Sequence, residues 1–162
     1  MTSSGWNGDF GGVSGADSKC AQVAQNAGLS GKWKALMSRD GKNAKTRISV
    51  HGRVRNLNGQ KVVDDKSDMW DGDIDNAVQY DESGHSVSKS VWTGSTDEGE
   101  ASGGTCDSWT SSSSYGAAGR SEAATYEWLN GGDCGGGGPG GPIGIGDCSC
   151  SNTLALYCID GQ

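Results

Sequence analysis

Apolar positions recur at helical spacing in only one stretch of the chain. Ala16, Cys20, Val23, Ala24 and Ala27 fall on one helical face. Gly11-Gly-Val-Ser14 precedes that face, with Ser14 placed to cap it and Asp17 three residues on, and Gly28 is placed to end it. The pattern predicts a helix with Cys20 facing the core. Elsewhere the alternation is that of strands: Gly31–Met37, Ser90–Gly94 and Thr105–Trp109. Asn58-Gly59 is a hairpin signal, predicted to join Arg53–Leu57 to Lys61–Val63. The chain closes on Leu154-Ala-Leu-Tyr157, an apolar run flanked by Cys150 and Cys158. This reads as a buried strand anchored at both ends, and Cys20 is the natural partner for one of them.

Composition explains why the pattern is sparse. Of 162 residues 29 are glycine and 33% are hydrophobic, so one domain over residues 1–162 has many turns and a thin core. Covalent staples suit such a chain. The 6 cysteines make an even set, compatible with 15 pairings. That points outside the reducing cytosol, to an extracellular, cell-surface or virion-surface setting or the periplasm. No basic-then-apolar leader opens the sequence, which implies another export route or a trimmed start. Cys134 and Cys148 flank Gly135–Pro142, and a local bridge between them would close a glycine-rich insertion at 131–148, worth about 3 kcal/mol in the chain-entropy picture. A zinc site using Cys134, Cys148 and Cys150 is the competitor, weakened by Cys-x-Cys spacing without a nearby histidine.

A net charge of -7 argues against nucleic acid and anionic membranes as partners, and no apolar run is long enough to span a bilayer. The basic residues from Lys42 to Arg55 read as a solvated run.

Gly11–Cys20, Gly28–Ser38, Ser90–Ser95, Cys106–Trp109 and Leu156–Ile159 occur in an order that resembles the endostatin domain of collagens, and more closely a group of bacterial secreted and surface proteins with the same pattern. The resemblance implies an α+β, C-type lectin-like fold: two helices, a small twisted antiparallel sheet, much loop, and disulfide staples. It also implies the pairs Cys20–Cys158 and Cys106–Cys150, leaving Cys134–Cys148 as the additional one.

Asp71, Asp73, Asp75 and Glu82 stand at positions one, three, five and twelve of a loop spaced like an EF-hand, a candidate calcium site. Asn76 replaces the turn glycine of that motif. The sugar-chelating signatures of C-type lectins are absent, as are the N-terminal histidines that hold zinc in collagen endostatins. Catalysis has little to build on: His51 and His85 lie in polar turns, and the pair Asp64-Asp65 reads as solvated charge. Trp92 and Trp109 are assigned to the core. Tyr115, Tyr126, Trp128 and Asn130, in glycine- and serine-rich surroundings, are the candidate ligand-binding residues, with Tyr115 and Trp128 expected to be exposed. The chain is accordingly read as a non-enzymatic recognition or adhesion module for a cell-surface glycan or protein, at the tip of a fibre and there a homotrimer. A structural module docking into a larger assembly is the alternative, and a carboxylate-based hydrolase comes third.

Overall fold

The computed structural model describes residues 1–134 and 146–161; the glycine-rich run Gly135–Pro142 lies outside them. The first helix, α1, spans Val13–Asn26 and buries Val13, Ala16, Cys20 and Ala24. Ser14 does not cap it. The N-cap is Gly12, with no side-chain hydrogen bond, and Ser14 is exposed within the first turn. The C-terminus behaves as predicted. Gly28 adopts φ +73°, its N–H reaches Gln25 O at 3.0 Å and the Leu29 N–H reaches Ala24 O at 2.9 Å, a Schellman ending that needs a residue free to turn left-handed.

Strand β1 (Trp33–Ala35) pairs antiparallel with β8 (Cys158–Asp160). Strands β2 (Val54–Arg55) and β3 (Lys61–Val63) form the hairpin that Asn58-Gly59 predicts. A second, four-stranded sheet has the order β6-β5-β4-β7, where β4 is Ser90–Trp92, β5 Tyr115–Arg120, β6 Asp147–Ser149 and β7 Ala155–Leu156. It is mixed rather than antiparallel, since β7 runs parallel to β4. The closing segment is therefore two strands. Ala155–Leu156 belongs to the larger sheet, and after Tyr157 the chain crosses to pair with β1. Among the described residues α1 is the one helix longer than a single turn; Ala44–Arg47 and Glu127–Asn130 are four residues each. The architecture is α+β.

All three disulfides are formed, Cys20–Cys158, Cys106–Cys150 and Cys134–Cys148, with Cα–Cα separations of 5.5, 5.7 and 5.7 Å. No cysteine among the described residues is left to ligate zinc.

Thr105–Trp109 is not a strand. Cys106, Asp107, Ser108 and Trp109 all have positive φ, from +49° to +68°, a left-handed turn costing roughly 1–2 kcal/mol per residue. Tertiary contacts hold it. Cys106 is bridged to Cys150, and Trp109 is fully buried and donates through Nε1 to Ser38 O at 2.6 Å. Thr105 Oγ1 accepts from the Ser108 N–H and donates to Asp40 at 2.6 Å. Cys106 and Trp109 are three apart, so a helical turn of either hand buries both on one side.

Two apolar clusters make the core. One joins α1 to Trp92, Trp109 and the buried cysteines, with the two indole rings edge-on at 5.8 Å. The other contains Leu36, Val63, Met69, Trp128, Leu129 and Tyr157. Arg47 ties α1 to β1 and is not solvated as read from the sequence. Its guanidinium forks onto Asp17 at 2.9 Å, and Asp17 also accepts the Ala35 N–H at 2.9 Å.

Candidate binding cleft

The second core cluster is open on one side. Between α1 with the β1–β8 pair and the segment Ser49–Leu57 lies a cleft of about 330 Å³, within the size range of small-ligand sites. Val23, Ala24 and Leu29 form one wall, and Trp33, the Cys20–Cys158 bridge and Ile159 extend it. Val50, Val54 and the exposed Leu57 form the other. Val62, Met69, Trp128 and Tyr157 lie beneath. Trp128 and Tyr157 are 1% and 2% exposed, and their polar atoms Nε1 and Oη have no hydrogen-bond partner, an unusual state for buried polar groups. Burial, and secondarily the charge of Glu122, pushes the Tyr157 phenol well above its usual value, so it stays a neutral hydroxyl.

The rim carries charge of both signs, unevenly used. Asp160 accepts the Lys32 N–H at 2.7 Å and Glu82 the Ser3 N–H at 2.7 Å, with the Ser3 hydroxyl also on Glu82. The lining also includes His51, Arg53 and Arg55, all exposed. Arg53 spends only Nε on Asp64, at 3.0 Å. Arg55 donates to Gly59 O at 2.7 Å and has no carboxylate partner among the described residues.

A sequence-family profile described as "Protein of unknown function (DUF1554)" matches residues 3–126, well over half of the chain. The chain belongs to the DUF1554 family. No curated protein matches it. The DUF1554 match covers α1, β1 and the hairpin wall of the cleft, while Trp128, Tyr157 and β8 follow it in the chain.

Of the residues singled out in the sequence as ligand- or calcium-binding, Trp128 and Glu82 line the cleft and the others do not. Tyr115 and Tyr126 are 42% and 48% exposed. Tyr115 begins β5, and Tyr126 precedes the one-turn helix packed near that strand's far end. Five residues of strand separate the two ends by about 16 Å. Asn130 is half-buried. Trp128 is not exposed. It belongs to the core, its ring 5.8 Å from that of Tyr157.

The candidate calcium loop is likewise dispersed. Asp71 accepts its own loop's Asp73 N–H, Asp75 pairs with Lys61 at 2.9 Å, and Glu82 is taken up by Ser3. The group that converges, among the described residues, is Asp64, Asp68 and Asp75, with oxygens within 4.8 Å of one another. Lys61 Nζ already sits there, 2.7 Å from Asp64 and 2.9 Å from Asp75. The pair Asp64-Asp65 is unsuited to proton donation near neutrality. Lys61 and Arg53 hold Asp64 below the usual carboxylate range, and the Ser67 hydroxyl with the Asp68 and Ser67 N–H groups does the same for Asp65. Neither histidine ring is hydrogen-bonded to a hydroxyl or thiol among the described residues; His85 Nδ1 lies 3.6 Å from Asp81.

Sequence reading missed the cleft residues Leu57, Val54, His51, Arg53 and Arg55. One signal was available. From Gly41 to Val63 the chain carries six of its 13 Lys and Arg and no acid, in a protein of net charge -7.

Proposed function

We propose that this domain is a non-enzymatic recognition module working outside the reducing cytosol, with a C-type lectin-like arrangement of loops on a stapled frame. It takes an apolar group of its ligand into the cleft between α1 and the Ser49–Leu57 segment. The observation that carries this reading is the cleft itself: about 330 Å³, mainly apolar walls, one of them fixed by the Cys20–Cys158 bridge. An apolar surface left open in a chain with so little of it marks a binding site. Three disulfides support the location, and no helix among the described residues is long and apolar enough to cross a membrane.

The test is a glycan and protein array probed with the wild-type domain and with Val54→Trp, which fills the cleft from the hairpin wall. A ligand retained by the wild type and lost on Val54→Trp is the expected result. Equal capture by both, or no capture by the wild type, overturns the proposal.

A further inference from the structure

We infer that the cleft binds an amphipathic anion: a single aliphatic chain within the walls and a carboxylate on the Arg53–Arg55 rim. The inference rests on the cleft being a binding site and adds the chemical class of the occupant. It comes from an imbalance between the acidic and the basic groups that line the cleft. Glu82 already receives the Ser3 N–H on one oxygen and the Ser3 hydroxyl on the other, and Asp160 receives the Lys32 N–H, so both acids are engaged by the fold. The guanidiniums of Arg53 and Arg55 have N–H groups to spare. Arg53 commits Nε alone, to an exposed Asp64 that Lys61 shares, and Arg55 bonds only a hairpin carbonyl. His51 completes this edge.

Arginine presents paired donors that match a carboxylate in two parallel bonds, and such bonds are the strong ones. The field of the whole chain is acidic, so a rim of this sign is local. It is the end of the acid-free stretch from Gly41 to Val63, which the fold uses only in part: Lys45 pairs with Glu100, Arg47 with Asp17, and Lys61 with Asp64 and Asp75. Below the rim, Val50, Val54, Leu57, Val23 and Leu29 offer an aliphatic lining with no charged side chain among them.

The test compares decanoate, 1-decanol and decylammonium, each below its micelle or solubility limit, by calorimetry and by the tryptophan fluorescence of the intact domain, to which Trp33 and Trp128 in the cleft contribute. Decanoate is expected to bind about tenfold more tightly than decanol, and decylammonium more weakly than either. In the double variant Arg53→Ala/Arg55→Ala the advantage of decanoate over decanol should disappear while decanol binding is kept, which also reports that the cleft is intact. Val54→Trp should abolish binding of all three. Decanol binding as tightly as decanoate, or a decanoate advantage that survives in the double variant, overturns the anion assignment and leaves the cleft standing. If no probe binds, or if Val54→Trp leaves binding unchanged, both the assignment and the cleft reading fail.

Discussion

Replacing Arg47 by alanine removes the bond that fastens the long helix to the edge of the cleft. Arg47 Nη1 lies 2.9 Å from Asp17 Oδ2, and Nη1 and Nη2 each lie 3.2 Å from Oδ1. Its Nε donates to Met37 O at 3.2 Å and its Nη2 to Ala35 O. The two side chains are only 12% and 27% exposed. Breaking a fully buried pair by removing one partner costs roughly 3–5 kcal/mol, and the water that reaches Asp17 relieves part of that. The expected loss is therefore about 2–3 kcal/mol, or a fall in Tm of roughly 4–12 °C for a chain of this length. Urea unfolding at constant m gives the value from the midpoint. Arg47→Lys keeps the charge but not the fork, and should fall between the two. A cycle with Asp17→Ala should show a coupling of about 1–2 kcal/mol, because the two changes break the same bonds. Loss of less than about 0.5 kcal/mol in Arg47→Ala, the range of an ordinary surface change, would show that solvent screens the pair and that the Cys20–Cys158 bridge and apolar packing are what hold α1.

Trp128→Ala should cost about 3–5 kcal/mol in the same assay and Tyr126→Ala almost nothing, as burial of one and exposure of the other require. The acid limb of stability should depend on Asp81. Burial opposes its charge, yet the His85 and Ser83 N–H groups together with the His85 ring outweigh that and hold it below the usual range. Its contribution is thus present above the ordinary aspartate pKa and lost as pH falls through the lowered value, so Asp81→Asn should flatten that limb. Asp147 works in the opposite sense. Burial raises it and one carboxylate oxygen has no partner, so its contribution is lost as pH rises, and Asp147→Asn should stabilise the protein at neutral pH but not in acid. Removing Cys20–Cys158, which spans 138 residues, should cost about 5 kcal/mol, against about 3 kcal/mol for Cys134–Cys148, which spans 14; equal losses in double-serine variants would contradict the loop-length account. Excess chelator should leave Tm unchanged, since the Lys61 ammonium already sits against Asp64 and Asp75 where a cation would; a drop on chelation would show a bound cation.

How far these elements were legible in the sequence follows from which forces shaped them. The end of α1, the Asn58-Gly59 hairpin and strand β4 are local: a left-handed glycine, a two-residue turn signal and a short apolar alternation are each sufficient where they stand. Strand β5 is not local. Tyr115-Gly-Ala-Ala-Gly-Arg120 has no β-branched residue, and four serines precede it. The strand exists because bulky groups press on it from both faces. A side chain at Gly116 would meet Trp92 and Cys106, and one at Gly119 would strike the Trp128 carbonyl. Small residues here are a packing requirement that looks, one residue at a time, like disorder. The turn at Cys106–Trp109 inverts the problem, since five residues cannot separate a strand's alternation from a helical turn, and the left-handed choice is fixed by Cys150, Ser38 and Asp40 from elsewhere in the chain.

The site was less legible than the fold because no single stretch contains it. Aromatic residues among glycine and serine look like a recognition surface, but that composition is shared by residues packed where space is tight, and Trp128 is of the second kind. Its neighbour Leu129 is buried as well, which a one-turn helix wedged between β5 and the second core cluster permits and an exposed loop would not. The cleft, by contrast, takes one wall from residues 20–33 and 158–160, which the longest-range disulfide joins, and the other from residues 49–57. What the sequence did carry was a charge imbalance. A run of six cations without an acid, in an acidic chain, has to be balanced by partners from outside the run. The fold supplies them for Lys45, Arg47 and Lys61 and supplies little for Arg55. The remainder is what a ligand can use, and it lies along the edge of the open apolar surface.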